Sequence, residues 1–245
     1  MIEHTVTING IEVNGSYSER AVNVIFLPLL KKLDELQKAK SRRILVMLAA
    51  PPGAGKSTLL SFLGRLSDGR IQTIGMDGFH RRQEYLTSHY VERDGKEVPM
   101  VQIKGAPITF DLEKLKESIQ KVAAGEICGW PIYDRMLHNP VEDAVTVSSK
   151  IVLLEGNYLL LYADGWRDLR QYADYSISVI ADEAMLRRRL IDRRMKTGVD
   201  EEASVRFVDY SDMPNVRLCL EKTMPADLQM MIDADGDYHI VQEER

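Results

Sequence analysis

Ala50-Pro51-Pro52-Gly53-Ala54-Gly55-Lys56-Ser57 is the stretch that decides how this chain folds. A small residue, four spacers and Gly-Lys-Ser form a loop in which glycines let backbone N–H groups curl around phosphate oxygens without a Cβ clash. The helix that follows turns its positive N-terminus on the same phosphates. Lys56 then reaches the β and γ phosphates of a nucleotide, and the Ser57 hydroxyl is placed for Mg²⁺. The expected ATP-binding set is Pro52, Gly53, Ala54, Gly55, Lys56, Ser57 and Thr58, with Mg²⁺ as the accompanying ion. A chance match in a strand-to-helix turn is the competing reading, and the context argues against it. Residues 44–49 are one apolar run, as in a central parallel strand covered on both faces, and residues 57–66 have helical spacing.

Outward from this loop, apolar runs at residues 71–74, 150–154 and 175–180 read as strands. Residues 110–124 read as an amphipathic helix with Leu112, Leu115, Ile119 and Val122 on one face. Strands alternating with helices predict a mostly parallel sheet with right-handed crossovers and helices on both faces, an α/β/α sandwich of the P-loop NTPase class. Its ligand crevice belongs beyond the C-terminal ends of the strands. Residues 88–109 read as a long connection or inserted hairpin, and residues 227–232 and 238–241 as short closing strands.

Before the loop, residues 5–13 alternate around Asn9-Gly10, a two-residue hairpin signal. Helical spacing runs on from Glu19 through Val22, Val24, Ile25, Leu29, Leu30, Leu33 and Leu36, with an interruption expected at Pro28. The resulting division is a hairpin and helix over 1–42 packed on a kinase-type domain over 43–245, with a lid around 182–200.

The whole composition sets limits. The chain has 245 residues, 44% hydrophobic and 28% charged, with a net charge of −5, which suits an ordinary globular protein and not a broad nucleic-acid or acidic-membrane surface. Its two cysteines have no metal-site or disulfide spacing, so a cytoplasmic protein is expected. No apolar stretch approaches the ~20 residues of a membrane helix, and the first residues do not resemble a signal peptide.

Other residues narrow the chemistry. No Asn-Lys-x-Asp guanine motif and no Leu-Ser-Gly-Gly-Gln transporter signature is present. The apolar run Ile151-Val152-Leu153-Leu154 ends in a single acid, Glu155, and Ile74-Gly75-Met76 ends in Asp77. An aspartate at that sheet edge is placed to take a proton from a hydroxyl in line with a γ-phosphate; a turn residue in Asp-Gly is the equal alternative.

Four further segments then carry a family likeness. They are Met76-Asp77-Gly78-Phe79-His80, Ile108-Thr109-Phe110-Asp111-Leu112, Pro131-Ile132-Tyr133-Asp134-Arg135-Met136-Leu137-His138 and Leu154-Glu155-Gly156-Asn157-Tyr158. With the phosphate loop they resemble, in order, the motifs of the phosphoribulokinase, uridine kinase and bacterial pantothenate kinase family. The resemblance spans residues 44 to about 195. It implies transfer of the γ-phosphate of ATP to a hydroxyl of a small acceptor, with a sugar or nucleoside favoured over pantothenate. It also implies Asp77 as catalytic base and substrate contact, Tyr133 and His138 as the acceptor pair, and Ser57 with Glu155 on the Mg²⁺ side. Asp111 reads instead as a helix N-terminal residue. A surface or capping histidine is the alternative for His138, and a core aromatic for Tyr133.

Residues 182–197 form a helix with Arg187, Arg188, Arg189, Arg193 and Arg194. In the family this helix belongs to a lid whose arginines stabilise the phosphoryl group in transfer. Arg188 and Arg189 match the paired arginines, and Asp192 and Thr197 depart from the uridine kinase pattern. Arg189 and Arg193 are the expected catalytic pair beside Lys56, while ion pairing with nearby acids is the alternative for the rest. Asp212, Asn215 and Arg217 resemble a stretch of a bacterial branch described as nucleoside or fructose-transport-associated kinases, and a Pro-Asn turn is the alternative there. A homodimer is one open assembly. The rival functions are a regulatory ATP-binding protein without transfer, a pantothenate-type kinase, and an ATPase acting on nucleic acid.

Overall fold

The structure is a computed structural model and describes residues 1–8 and 11–243. In chain order the strands are β1 (Ile2–Ile8), β2 (Ile11–Tyr17), β3 (Ile44–Ala49), β4 (Ile71–Gly75), β5 (Tyr90–Arg93), β6 (Lys96–Pro99), β7 (Cys128–Asp134), β8 (Asn139–Val147), β9 (Ile151–Gly156), β10 (Tyr175–Ala181), β11 (Leu228–Ile232) and β12 (Tyr238–Glu243). The helices are α1 (Glu19–Ala21), α2 (Leu27–Lys40), α3 (Lys56–Leu66), α4 (Gln83–Ser88), α5 (Leu112–Ala123), α6 (Glu183–Met195), α7 (Glu201–Phe207) and α8 (Met213–Lys222).

The central sheet has the order β12-β11-β10-β3-β9-β4, parallel except for the antiparallel edge strand β12. Every residue of β3 and of β9 is buried, so these strands lack the alternation of a half-exposed sheet. Alternate β3 residues serve opposite layers. Ile44, Val46 and Leu48 join Leu59, Phe62, Leu63, Leu186, Leu190 and Val216 on one face, whereas Leu45 and Met47 join Leu115, Ile119, Val122, Trp130 and Trp166 on the other. The result is the three-layer α/β/α sandwich of the P-loop fold.

The hairpin β1–β2 and the helix after it pack on the first of these layers. The Tyr17 ring stacks on Phe62 with centroids 4.1 Å apart, and Phe26, Leu29, Leu30 and Leu33 belong to the same core. The Asn9-Gly10 turn expected between the strands lies outside the described residues. The register Thr7 to Glu12 and Ile8 to Ile11 is the one that a short connection requires.

Two expectations are corrected. Pro28 does not interrupt its helix: residues 19–40 are continuous through a π-helical turn, Val22–Phe26, in which the Leu27 N–H reaches the Val22 carbonyl. A proline has no N–H and its ring crowds the carbonyl four residues back; widening the preceding turn relieves both. The same solution recurs at Pro214. The alternative of a Pro-Asn turn fails there, because residues 201–222 stay helical through the π turn Val208–Asp212, which also ends two residues before its proline. The segment with Tyr133 and His138 is a further element of the fold. It forms the strand β7 and the tip of an antiparallel hairpin with β8. The insertion at residues 88–109 does hold a hairpin, β5–β6, with a turn at Asp94-Gly95.

Candidate active site

The phosphate loop leaves β3 beside β9, with the Ala50 N–H donating to the Gly156 carbonyl at 3.4 Å. Gly53 and Gly55 take φ of +85° and +78°, which a side chain would strain. A Cβ on Gly53 would also lie 3.1 Å from both the Leu186 carbonyl oxygen and the Leu190 side chain of α6, so this helix rests on the loop. A Cβ on Gly55 would meet nothing within 4 Å, and this side of the loop is an open cradle. Lys56 opens α3 and its ammonium donates to the Pro51 carbonyl at 3.3 Å, folded back over the loop.

Register brings two acids to the same edge. Glu155 lies in β9 between Leu48 of β3 and Gly75 of β4, and Asp77 follows Gly75 in a tight 3-10 turn, Met76–Phe79. The Ser57 hydroxyl donates to Glu155 Oε1 at 2.7 Å. Burial pushes the Glu155 carboxyl above the usual carboxylate range; the Lys56 ammonium and the Ser57 hydroxyl oppose that shift, and the Asp77 charge adds to it. Two carboxylates beside a phosphate cradle are the pattern of a site that completes its charge with a cation. Asn157 Oδ1, just past β9, is buried without a hydrogen-bond partner. Among the described residues no group of three or more His, Cys, Asp or Glu side chains is clustered for a metal. The donor set of one hydroxyl and one carboxylate fits Mg²⁺, which takes few protein ligands and fills its shell with phosphate oxygens and water.

Gly78 is demanded by packing and not only by the turn. Its φ is not positive, yet a Cβ there would lie 2.1 Å from the Pro131 carbonyl oxygen. Glycine therefore permits the close approach of the 3-10 turn to β7, which is further held by Trp130 Nε1 donating to the Gly75 carbonyl at 2.8 Å. This contact brings the segment with Tyr133 to the Asp77 turn.

On that side, the His80 ring lies 3.9 Å from the Phe110 centroid and 5.2 Å from that of Tyr133. Burial holds its imidazole below the usual histidine range. Lys104 lies 4.7 Å over the Tyr133 ring. Tyr133 is half-buried, and desolvation raises its phenol pKa. His138 stands in the exposed turn of the β7–β8 hairpin with φ of +52°; its carbonyl, not its ring, is tied to the site by Lys104 Nζ at 3.1 Å. Asp111 caps α5 through the Lys114 N–H, as its pattern predicts.

The arginines of α6 divide by face. Arg187 is spent on Asp209 at 2.6 Å and Arg188 is exposed. Arg189 lies near Gly236 and Tyr238, at the β11–β12 turn. Arg193, one turn on, keeps solvent access, but the cleft walls desolvate it and lower its pKa; Asp212 opposes that shift, and Arg135 and Asp77 also act on its charge. Arg217 holds α8 to α6 through Glu183 at 2.7 Å, and the buried Asn215 amide donates to the Ser211 carbonyl at 2.9 Å. Thr58 is buried behind the loop, against the hairpin at Gly15. His80, Lys104 and Arg135 were not among the expected site residues. Their quoted motifs contained His80 and Arg135, but only the packing of β7 on the Asp77 turn brings all three to one place.

No protein-family model matches the chain. Relatives do. An uncharacterized protein of Escherichia coli (strain K12), YggC, is 38% identical over 240 residues, which cover 96% of this chain and 97% of that one. A protein of Schizosaccharomyces pombe named "Putative uridine kinase C227.14" is 31% identical over 195 residues, 75% of this chain and 80% of its own. The solved structure titled as a "putative fructose transport system kinase" from Silicibacter sp. TM1040 superposes with a TM-score of 0.75 at 30% identity, covering 83% of this chain and 98% of that one. The chain belongs to the phosphoribulokinase, uridine kinase and bacterial pantothenate kinase family. Its named relatives in that family are small-molecule kinases, so a small-molecule kinase is the general class of this protein and a nucleotide its general requirement. No helix among the described residues is long and apolar enough to cross a membrane.

Proposed function

We propose that this kinase transfers the γ-phosphate of ATP to a hydroxyl of a small polar metabolite. The observation that carries the reading is the junction at the strand ends: Ser57 is bonded to Glu155 at 2.7 Å, and the Asp77 charge bears on that same carboxylate.

In this reading the loop from Pro52 to Thr58 holds the triphosphate through backbone N–H groups, and Lys56 unfolds from the Pro51 carbonyl toward the β and γ phosphates. Ser57 and Glu155 would hold Mg²⁺, which supplies neutralisation of phosphate charge when bound. Asp77 accepts the proton of the acceptor hydroxyl as its oxygen bonds to the γ-phosphorus; the bond from that phosphorus to the β–γ bridging oxygen breaks, and ADP leaves. Arg193, with Arg189 farther along the same helix face, answers the negative charge in flight. Tyr133 and the His138 turn bound the acceptor. The phosphorylated group is an alcohol, and the enzyme works in the cytoplasm, where its two free thiols, Cys128 and Cys219, stay reduced.

The test is ADP release across a panel of sugars, nucleosides, vitamins and hydroxy acids. Stimulation by one acceptor is expected, with Asp77→Asn lowering kcat by roughly 10²–10⁴ while the KM for ATP changes little. ATP binding without stimulation by any compound, and with the same basal rate in Asp77→Asn, would favour a regulatory nucleotide-binding protein instead.

A further inference from the structure

The acceptor side of the cleft holds cationic charge that the transfer chemistry does not use. Lys104 Nζ donates to two neutral oxygens, Gln83 Oε1 at 2.9 Å and the His138 carbonyl at 3.1 Å, and lies 4.7 Å over the Tyr133 ring. Among the described residues no carboxylate pairs with it, although it is half-buried and burial lowers its pKa. Arg135, two residues beyond Tyr133, likewise has no ion pair among the described residues, and its charge acts on His80, Tyr133 and Arg193. The nearby acids are engaged. Asp134 Oδ1 accepts the Met136 and Leu137 N–H groups at 2.7 and 3.0 Å, Asp212 faces Arg193 and Arg194, and Asp77 is the proposed base. Partly desolvated cations with only neutral partners are costly, and an incoming anion removes that cost. The Lys104 ammonium and the Arg135 guanidinium both bear on His80 and on Tyr133, and these two groups are the ones that grip carboxylate and phosphate oxygens.

We propose that the acceptor is a small hydroxy compound with an anionic group, a carboxylate or a phosphate ester, held by Lys104 and Arg135 while its hydroxyl faces Asp77. The Tyr133 ring floors the pocket, and its contact with Lys104 keeps the ammonium over the acceptor side. The inference rests on the kinase reading and replaces the neutral sugar or nucleoside that the family likeness favours. A purely structural role, in which Lys104 only ties the β7–β8 turn to α4, predicts changes in stability and none that follow the acceptor's charge.

The experiment uses the full chain and matched acceptors: D-glycerate against glycerol, and ribose 5-phosphate against ribose. The charged member of one pair is expected to stimulate ADP release and its neutral partner not, and the responding pair tells carboxylate from phosphate ester. Lys104→Gln, which keeps hydrogen-bond donors, and Arg135→Gln are each expected to raise the KM of that acceptor about tenfold with a small change in kcat, and Lys104→Arg to restore it. A neutral member working as well as its charged partner, or Lys104→Gln and Arg135→Gln leaving KM unchanged, overturns the inference while the kinase reading stands. Should no member stimulate turnover, the wider acceptor panel with Asp77→Asn decides the kinase reading, and ligand-induced thermal shift with a non-hydrolysable ATP analogue decides the pocket. Stabilisation of the wild type by D-glycerate or ribose 5-phosphate, lost in Lys104→Gln, upholds an anion pocket; no shift with either compound overturns it.

Discussion

Single side chains do two kinds of work in this molecule. Asp77 and Glu155 set like charges side by side in a cleft where Ser57 and Lys56 are the near counterweights, an arrangement that favours ligand over empty site. Asp174, far from the cleft, does the opposite and holds the fold. Its carboxylate accepts the Leu45 N–H at 2.9 Å, Arg42 Nη2 at 2.6 Å and Lys40 Nζ at 2.7 Å, fastening the end of α2 to the start of β3. Burial alone would raise its pKa; the hydrogen bonds from Arg42 and Lys40 outweigh that and hold the carboxyl below the usual range. A depressed folded pKa means stability that is present above the unfolded pKa and lost as pH falls through the folded one. Asp174→Asn is therefore expected to cost about 1–3 kcal/mol at neutral pH. In thermal melts, the gap to wild type should close as pH drops below 4 toward the depressed value. A gap that stays constant down to acid unfolding would show that packing, not charge, does the fastening.

Among elements, the Met76–Phe79 turn and β7 form the hinge on which the site depends. Gly78→Ala places a methyl 2.1 Å from the Pro131 carbonyl oxygen, and neither backbone can absorb that without moving. The expected outcome is a loss of about 1–3 kcal/mol in denaturant unfolding and a fall in kcat larger than the stability loss accounts for, because Asp77 shifts with the turn. A variant with wild-type kcat and reduced stability would show that Asp77 does not need this placement. The two π turns are also element-scale devices. Each lets a helix carry a proline without breaking, and the second directs Tyr210 and Asp212 from one long helix. The Tyr210 carbonyl accepts from Arg93 of the β5–β6 hairpin, and Asp212 faces Arg193. The inserted hairpin, the helix run 201–222 and α6 are thus tied together.

At the scale of the whole molecule, the N-terminal hairpin and helix share one core with the sheet. His4, Tyr17 and Phe26 all contact Phe62 of α3, the His4 ring bonds to Ser61 at 2.9 Å, and Ser18 reaches Asp237 at 2.7 Å on the far edge. Removing residues 1–42 exposes Phe62, Leu59 and Leu63, so the truncated chain is expected to be insoluble or to lose its cooperative melt, where the full chain gives a single transition. A stable, cooperatively melting truncation would make the segment an appendage. How much of this was legible beforehand follows from the range of the forces. The phosphate loop, the buried strands β3 and β9, the capping role of Asp111 and the acids at the strand ends are local patterns of glycine, apolar runs and spacing, and they determined the fold class and the phosphate-loop side of the candidate site. The cluster around Tyr133 was not readable in that way. Lys104, Arg135, His80 and Tyr133 come from segments up to 55 residues apart in sequence and meet only because Gly78 lets two backbones touch and β9 sets Glu155 between β3 and β4. Likewise, a proline in a helical pattern reads as a break, and only packing at both ends of the helix decides that it is absorbed in a wider turn.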